Sequence, residues 1–246
     1  MPRLRLDEAL VVAGLAPSRS RARDAVLRGT VTVDGVSAGK PGQLVAEDAA
    51  LALADPAAGY VSRAALKLAA GLDRFGFEPV GRTVLDLGAS TGGFTQVLLE
   101  RGAARVVAVD VGHGQMAPAL AADPRVVLKE GLNARDITAA DLGGHRIEAI
   151  TCDVSFISLK LALPPALRLA ETGAWGLFLV KPQFEVGPGG IGKGGLVRDT
   201  AAAEAVAHEL AGWIAGEPGW RVVGLAPSPI AGGSGNCEFL LGARRG

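Results

Sequence analysis

Five short apolar runs recur through the body of the chain: TVLDLG (83–88), RVVAVD (105–110), RVVLKE (125–130), IEAITCD (147–153) and WGLFLVK (175–181). Helical stretches such as GFTQVLLERG and ISLKLALPPALRLAE lie between several of them. Strands that are apolar on both faces must be covered on both faces, and alternation with helices achieves this when the strands run parallel. The pattern predicts an α/β fold, a Rossmann-like, doubly wound, mostly parallel sheet. AAAEAVAHELAGWIAG reads as a later helix, and WRVVGLAPSPI and CEFLLGARR as closing strands. In such a sheet ligands bind beyond the carboxyl ends of the strands, so the residues that end the runs are where chemistry is expected.

The first fifty residues follow a different pattern. RLDEALVVAGL places Leu6, Ala9, Leu10 and Ala13 on one helical face, with Gly14 as a stop. SRSRARDAVLRG begins with Ser18 or Ser20 as N-cap and ends at Gly29. TVTVDGV alternates and turns at Asp34-Gly35, a hairpin signal, and ALAL near Leu51 can return beside it. The expected organisation is a small α+β domain over residues 1–54, a linker at 55–60, and the α/β domain over 61–246. The second helix carries Arg19, Arg21, Arg23 and Arg28 against one acid, Asp24. Such a face is either merely solvated or contacts phosphate, which guanidinium groups grip in a fork.

Composition narrows the function classes. The formal net charge is zero over 246 residues, so nucleic-acid binding would have to come from a local basic patch. The two cysteines, Cys152 and Cys237, form no CxxC pair; no metal site or disulfide framework is expected, and a reducing, cytoplasmic setting fits. No secretory signal opens the chain, and no apolar run approaches the ~18 residues of a membrane span, so no membrane partner is expected.

VLDLGASTGGF is a strand, a glycine turn and a helix start. A bare turn lets a ligand approach backbone, and Asp110, closing the next strand, can accept both hydroxyls of a ribose. A nucleoside-containing cofactor is therefore expected. The same stretch spells G-x-S-x-G (Gly88, Ser90, Gly92), the serine-hydrolase elbow. The elbow normally follows several earlier strands, whereas this strand is the first of its domain, and none of His113, His145 and His208 has a claim as its base. GPGGIGKG approaches a P-loop, but Gly194 stands where a hydroxyl must hold magnesium; a mobile loop, a lid over a site, is the better reading. Dinucleotide sites want a glycine where Ser90 stands, and DLGASTGGF is closer to the first motif of methyltransferases using S-adenosylmethionine.

Lys181 raises a separate question. It ends an apolar strand, where an unpartnered ammonium would cost several kcal/mol on burial. Asp153 ends the preceding strand, Lys67 lies in YVSRAALKLAAGL, and Glu238 in GNCEFLL. Each has an ordinary explanation as a snorkelling lysine, a helix cap or a surface acid. Together they resemble the Lys-Asp-Lys-Glu tetrad of the FtsJ-like ribose 2′-O-methyltransferases. The fuller series YVSRAALKL, LDLGASTGGF, VAVDVGHGQM, CDVSFISL, LVKPQFE, GKGGLVRD and GNCEFLL resembles the TlyA family in particular, departing at Ala64-Ala65, where many members carry glycines. Residues 3–50, two short helices followed by VTVDG, resemble the S-four RNA-binding domain.

The resemblance implies S-adenosylmethionine-dependent 2′-O-methylation of cytidines in ribosomal RNA, with ribosomal RNA or ribosomal subunits as partner; the residues leave the oligomeric state open, a monomer being favoured. It implies catalytic roles for Lys67, Asp153, Lys181 and Glu238. Cofactor contacts would come from Gly88, Ala89, Ser90, Thr91, Gly92, Gly93, Phe94, Asp110, Val111, Asn133, Ala134 and Asp153. RNA contacts would come from Arg5, Arg19, Arg21, Arg23, Arg28 and Arg63. Some relatives carry a haemolysin label, but the chain shows no membrane span or pore motif. The competing class is a catalytically idle RNA-binding or ribosome-assembly protein; an intact tetrad and cofactor turn favour the enzyme. The residue types suit the chemistry. A ribose hydroxyl is a poor nucleophile while protonated, and an adjacent amine can take or steer its proton.

Overall fold

The computed structural model describes residues 3–233 and 235–246. The chain divides into two compact units, Met1–Gly59 and Tyr60–Gly246. The first contains β1 (Arg3–Arg5), α1 (Leu6–Val12), α2 (Arg19–Leu27), β2 (Val31–Val33), β3 (Val36–Ser37), β4 (Leu44–Ala46) and β5 (Leu51–Leu53). β1 pairs antiparallel with β4, and β2 lies between β3 and β5. Leu6, Ala9 and Leu10 of α1 pack with Ala22, Ala25 and Val26 of α2. Ala13 is exposed, contrary to the face drawn from periodicity, because α1 ends before it and Ala13 is its C-cap. Ser18 caps α2, its hydroxyl accepting from the Arg21 backbone N–H at 3.3 Å. Asp34 and Gly35 both have positive φ, 49° and 78°, as the tight turn between β2 and β3 requires.

The second unit contains α3 (Ala65–Phe75), β6 (Thr83–Leu87), α4 (Gly93–Glu100), β7 (Arg105–Asp110), α5 (Pro118–Ala121), β8 (Val126–Glu130), β9 (Ile147–Cys152), α6 (Leu159–Ala162), α7 (Pro164–Leu169), β10 (Ala170–Val180), α8 (Thr200–Gly216), β11 (Trp220–Pro227) and β12 (Phe239–Arg245). The sheet order is β11-β12-β10-β9-β6-β7-β8. β10, β9, β6, β7 and β8 run parallel, and β12 enters antiparallel between β10 and β11. The apolar runs are buried on both faces: Val106 through Val109 of β7 are almost fully covered. Leu68, Leu72, Val97 and Leu98 from α3 and α4 pack with Trp175 and Leu177 on one face. Leu163, Leu167, Leu210 and Ile214 pack with Ile150 and Phe178 on the other.

Two elements differ from the sequence reading. ISLKLALPPALRLAE forms two short helices, because Pro164 has no N–H to continue α6 and instead opens α7 at its first turn. β10 begins at Ala170, not at Trp175, and its pairing with β9 shifts register between these two residues. Gly173, with φ +85°, lies within that irregular lead.

Asp86, in the middle of β6, is fully buried. Burial raises its carboxyl to about 6, against hydrogen bonds donated by Thr95 Oγ1 at 2.7 Å and Thr151 Oγ1 at 2.9 Å. A folded pKa above the unfolded value means that the native state keeps a proton the unfolded chain has lost. This group's contribution to stability therefore falls as pH rises from about 4 to about 6, by roughly 3 kcal/mol, and is constant above that window. Asp86→Asn cannot ionise and should lack this decline. Melting curves of both proteins across the window test it; parallel pH dependences would refute the assignment.

Candidate active site

β6 and β9 are neighbours, but the chain leaves β6 towards β7 and leaves β9 towards β10. At such a switch point the outgoing connections diverge and open a crevice beyond the carboxyl ends. A cavity of about 1030 Å³ opens there, with Gly88, Ser90, Asp110, Asn133, Asp153 and Phe156 in its wall. Gly88 has φ +78°, and a Cβ on it would stand 2.9 Å from the Asp153 carbonyl oxygen, so only bare backbone fits. Asp110 ties two loops of the rim. Its Oδ2 accepts from the Ser90 N–H at 2.8 Å and its Oδ1 from the Gly112 N–H at 2.7 Å. Each oxygen keeps capacity for a further hydrogen bond.

Gly88, Ser90, Asp110, Val111, Asn133, Ala134 and Asp153 are in the cavity wall; Ala89, Thr91, Gly92, Gly93 and Phe94 are not. α4 starts at Gly93 and turns Phe94 into the core, while Ala89 and Gly92 are buried beneath the turn and Thr91 faces outward. The turn thus contributes a few backbone positions rather than a continuous run of contacts. The serine-elbow reading also meets its geometry. Ser90 has a positive φ of 46°, as an elbow serine would, but its hydroxyl donates to Gln115 Oε1 at 3.1 Å. His145, by contrast, faces Arg105.

The tetrad residues come together as two ion pairs. Lys181 directly follows β10, whose last residue, Val180, pairs with Phe239 of β12. Glu238 lies one residue ahead of β12, not on it, and so neighbours Lys181 across the strand ends. The Lys181 side chain is only 11% exposed, so it does not snorkel to solvent. Its Nζ lies 2.6 Å from Asp153 Oδ1 and donates to Ser155 Oγ at 2.8 Å and to the Asp153 carbonyl at 3.3 Å. Lys67, projecting from α3, pairs with Glu238, and the two side chains are 7% and 3% exposed. A Cβ at Gly232 would stand 2.5 Å from Glu238 Oε1, so the bare backbone there makes room for the carboxylate. Asp153 is shared by the cavity wall and the Lys181 pair.

The sequence reading missed Ser155 and Phe156. Phe156 is 91% exposed with φ +64°, a costly conformation for an aromatic residue, and its ring lies 5.0 Å from that of Phe184. Both lie in CDVSFISL, but no periodicity or spacing marks an exposed aromatic ring as useful.

The arginines of the first unit separate into two kinds. Arg5 and Arg23 border a shallow cleft of about 210 Å³. Arg5 and Arg19 are about half exposed while bridged to Asp7, and Arg19 also reaches Glu8. Arg21 donates to the Ala57 carbonyl at 2.7 Å. Arg28 differs from these: its side chain is 11% exposed and engaged by Asp24 and Asp55, so it ties α2 to the following segment. In the second unit, Arg63 is half-buried with Nη2 near Gly233.

Comparison with known proteins agrees with this architecture. A profile of FtsJ-like methyltransferases matches residues 60–245, and an S4 domain profile matches residues 4–51. The chain is 47% identical to the 16S/23S rRNA (cytidine-2'-O)-methyltransferase TlyA of Mycobacterium tuberculosis, over 98% of this chain and 90% of that protein. It is 37% identical to Hemolysin A of Brachyspira hyodysenteriae, over 96% of this chain and 98% of that protein. A solved structure of a hemolysin-labelled protein from Streptococcus thermophilus superposes with a TM-score of 0.76 at 38% identity, covering 100% of this chain and 89% of the other. Among the described residues no helix is long and apolar enough to cross a membrane. The chain therefore belongs to the FtsJ-like methyltransferases, in their TlyA branch, with an S4 domain at its amino end.

Proposed function

We propose that this protein transfers a methyl group from S-adenosylmethionine to the 2′-hydroxyl of cytidines in ribosomal RNA. The observation that carries the reading is the meeting of Lys181–Asp153 and Lys67–Glu238 at one edge of the sheet, beside a turn where only bare backbone fits. The donor fits the crevice: the cavity has room for a nucleoside, with Asp110 for a ribose and Asn133-Ala134 beside it. When bound, the donor supplies a methyl on a sulfonium, which leaves as a neutral thioether.

The chain's own residues do the rest. Lys181 holds the ribose hydroxyl and takes or steers its proton. It donates to the Asp153 carbonyl and to Ser155 while its charge faces Asp153 Oδ1, and exposed Ser155 is the partner that an incoming hydroxyl can replace. Asp153 fixes the amine in direction, and Glu238 holds Lys67 as the neighbouring cation. Phe156 offers a face on which a flipped base can stack. Arg5, Arg19, Arg21 and Arg23 of residues 1–54, with Arg63 of the catalytic domain, contact RNA phosphates.

Incubation with labelled S-adenosylmethionine and purified ribosomal subunits, followed by mapping of 2′-O-methyl groups, tests the reading. Label on cytidine 2′-oxygens is expected. Cofactor binding without transfer to either subunit would favour the idle RNA-binding protein. The cofactor assignment has its own check. Asp110→Ala removes the ribose acceptor, and hydrogen bonds to a charged group contribute roughly 1.5–3 kcal/mol each, so S-adenosylmethionine affinity should fall at least ~10-fold. An unchanged dissociation constant by calorimetry in a folded variant would remove the ribose role.

A further inference from the structure

Asn236 is a buried polar side chain outside the tetrad, 3% exposed. Both ends of its amide are spent on the glycine-rich loop that follows Phe184. Oδ1 accepts from the Val197 N–H at 2.9 Å, and Nδ2 donates to the Gly195 carbonyl at 3.0 Å. The loop is a small hairpin in its own right: Ile191 bridges Val197, Gly192 N–H donates to the Leu196 carbonyl at 2.7 Å, and Arg198 N–H to the Gly190 carbonyl at 3.1 Å. Gly194 and Gly195 turn it with φ of 76° and 78°. Lys193 and Arg198 are carried on it.

The other face of the same short segment belongs to the site. The Asn236 carbonyl accepts from the Gly232 N–H at 2.9 Å, closing a loop whose residue 232 packs on the Glu238 carboxylate. Two residues beyond Asn236, Glu238 grips Lys67. The hairpin follows the same strand end that carries Lys181, beyond the turn at Pro182–Phe184. A buried amide with both ends satisfied on a glycine-rich segment costs little while paired, and leaves a donor and an acceptor unmet if the segment moves away.

We propose that Asn236 is a latch: it seats the hairpin 190–198 against the segment carrying Glu238, so that loop position and the Lys67–Glu238 pair are set together. It is a positioning residue that acts through the loop and through Glu238. The inference rests on the methyltransferase reading for its effect on rate, but not for its effect on the loop.

The test uses the full chain and two variants. Asn236→Ala removes both loop bonds. Val197→Pro removes one of them from the loop side without touching the buried amide; Leu196, at φ −81° and ψ 138°, already has the extended backbone that a following proline demands. Tryptic cleavage after Lys193 and Arg198 reports loop release independently of methyl transfer. Loss of a buried pairing of this kind should speed cleavage there by about 10-fold or more in both variants. Cofactor affinity and melting temperature should change little. With ribosomal RNA as substrate, kcat should fall with little change in KM, and the two substitutions should not add. Unchanged loop cleavage in both variants would overturn the latch. So would equal loss of cofactor affinity and thermal stability in both, since that marks a structural residue only. If loop cleavage rises but neither protein nor variant methylates RNA, the latch stands and the proposed reaction fails.

Discussion

Lys181→Ala is expected to slow single-turnover methyl transfer by about 10²–10⁴-fold, the usual contribution of a positioned proton-transfer group. Cofactor affinity should hardly change, because Lys181 is not in the wall of the cofactor cavity; the residue shared with it is Asp153. Stability should change little as well. The substitution leaves Asp153 without its cation, but its side chain is 15% exposed, more than either member of the Lys67–Glu238 pair. Lys181→Arg should fail to rescue. A guanidinium stays protonated, and its planar fork does not match three acceptors arranged around one nitrogen. Asp153→Asn combined with Lys181→Ala should cost hardly more than Lys181→Ala alone, since the two act as a unit. Near-normal transfer by folded Lys181→Ala would return this lysine to an ordinary buried ion pair and end the tetrad mechanism.

Glu238→Ala should behave differently, losing both activity and stability. Its pair with Lys67 is covered at both ends, with side chains 3% and 7% exposed. Removing one partner leaves an ammonium buried without compensation, at a cost of about 3–5 kcal/mol. For a chain of this size that lowers Tm by about 10 °C. The double variant Lys67→Met, Glu238→Leu replaces both charges with apolar groups of similar volume. It should regain most of the lost Tm and none of the transfer, because a buried pair contributes little net stability over a packed apolar one. A Glu238→Ala protein that melts with the wild type would contradict the buried pair. A double variant that methylates RNA would remove both residues from the chemistry.

What the sequence determined by itself was local. Apolar runs of strand length, alternating with helical stretches, specified the layers, since periodicity depends on near neighbours. Turn and cap chemistry is equally local: Gly88 after β6, Asp34-Gly35 between β2 and β3, and a serine cap at 18 or 20 for α2 were readable as residue types, and the fold uses Ser18. The strand-end rule puts Asp153 and Lys181 at one edge of the sheet from strand order alone.

The partners were decided only by the tertiary structure. Lys67 and Glu238 are 171 positions apart, and no periodicity spans that distance. They meet because β12 enters antiparallel against β10 with Val180 opposite Phe239, which delivers residue 238 to the end where α3 presents residue 67. The same register puts Asn236 under the glycine loop, where the sequence showed only an amide before a cysteine. Side-chain direction was also beyond local reach: Phe94 turns into the core, Phe156 turns out of it, and Arg28 folds back onto two carboxylates. Strand and helix formation are governed by residues a few positions apart, whereas register and burial are set by packing between elements that the chain brings together only on folding.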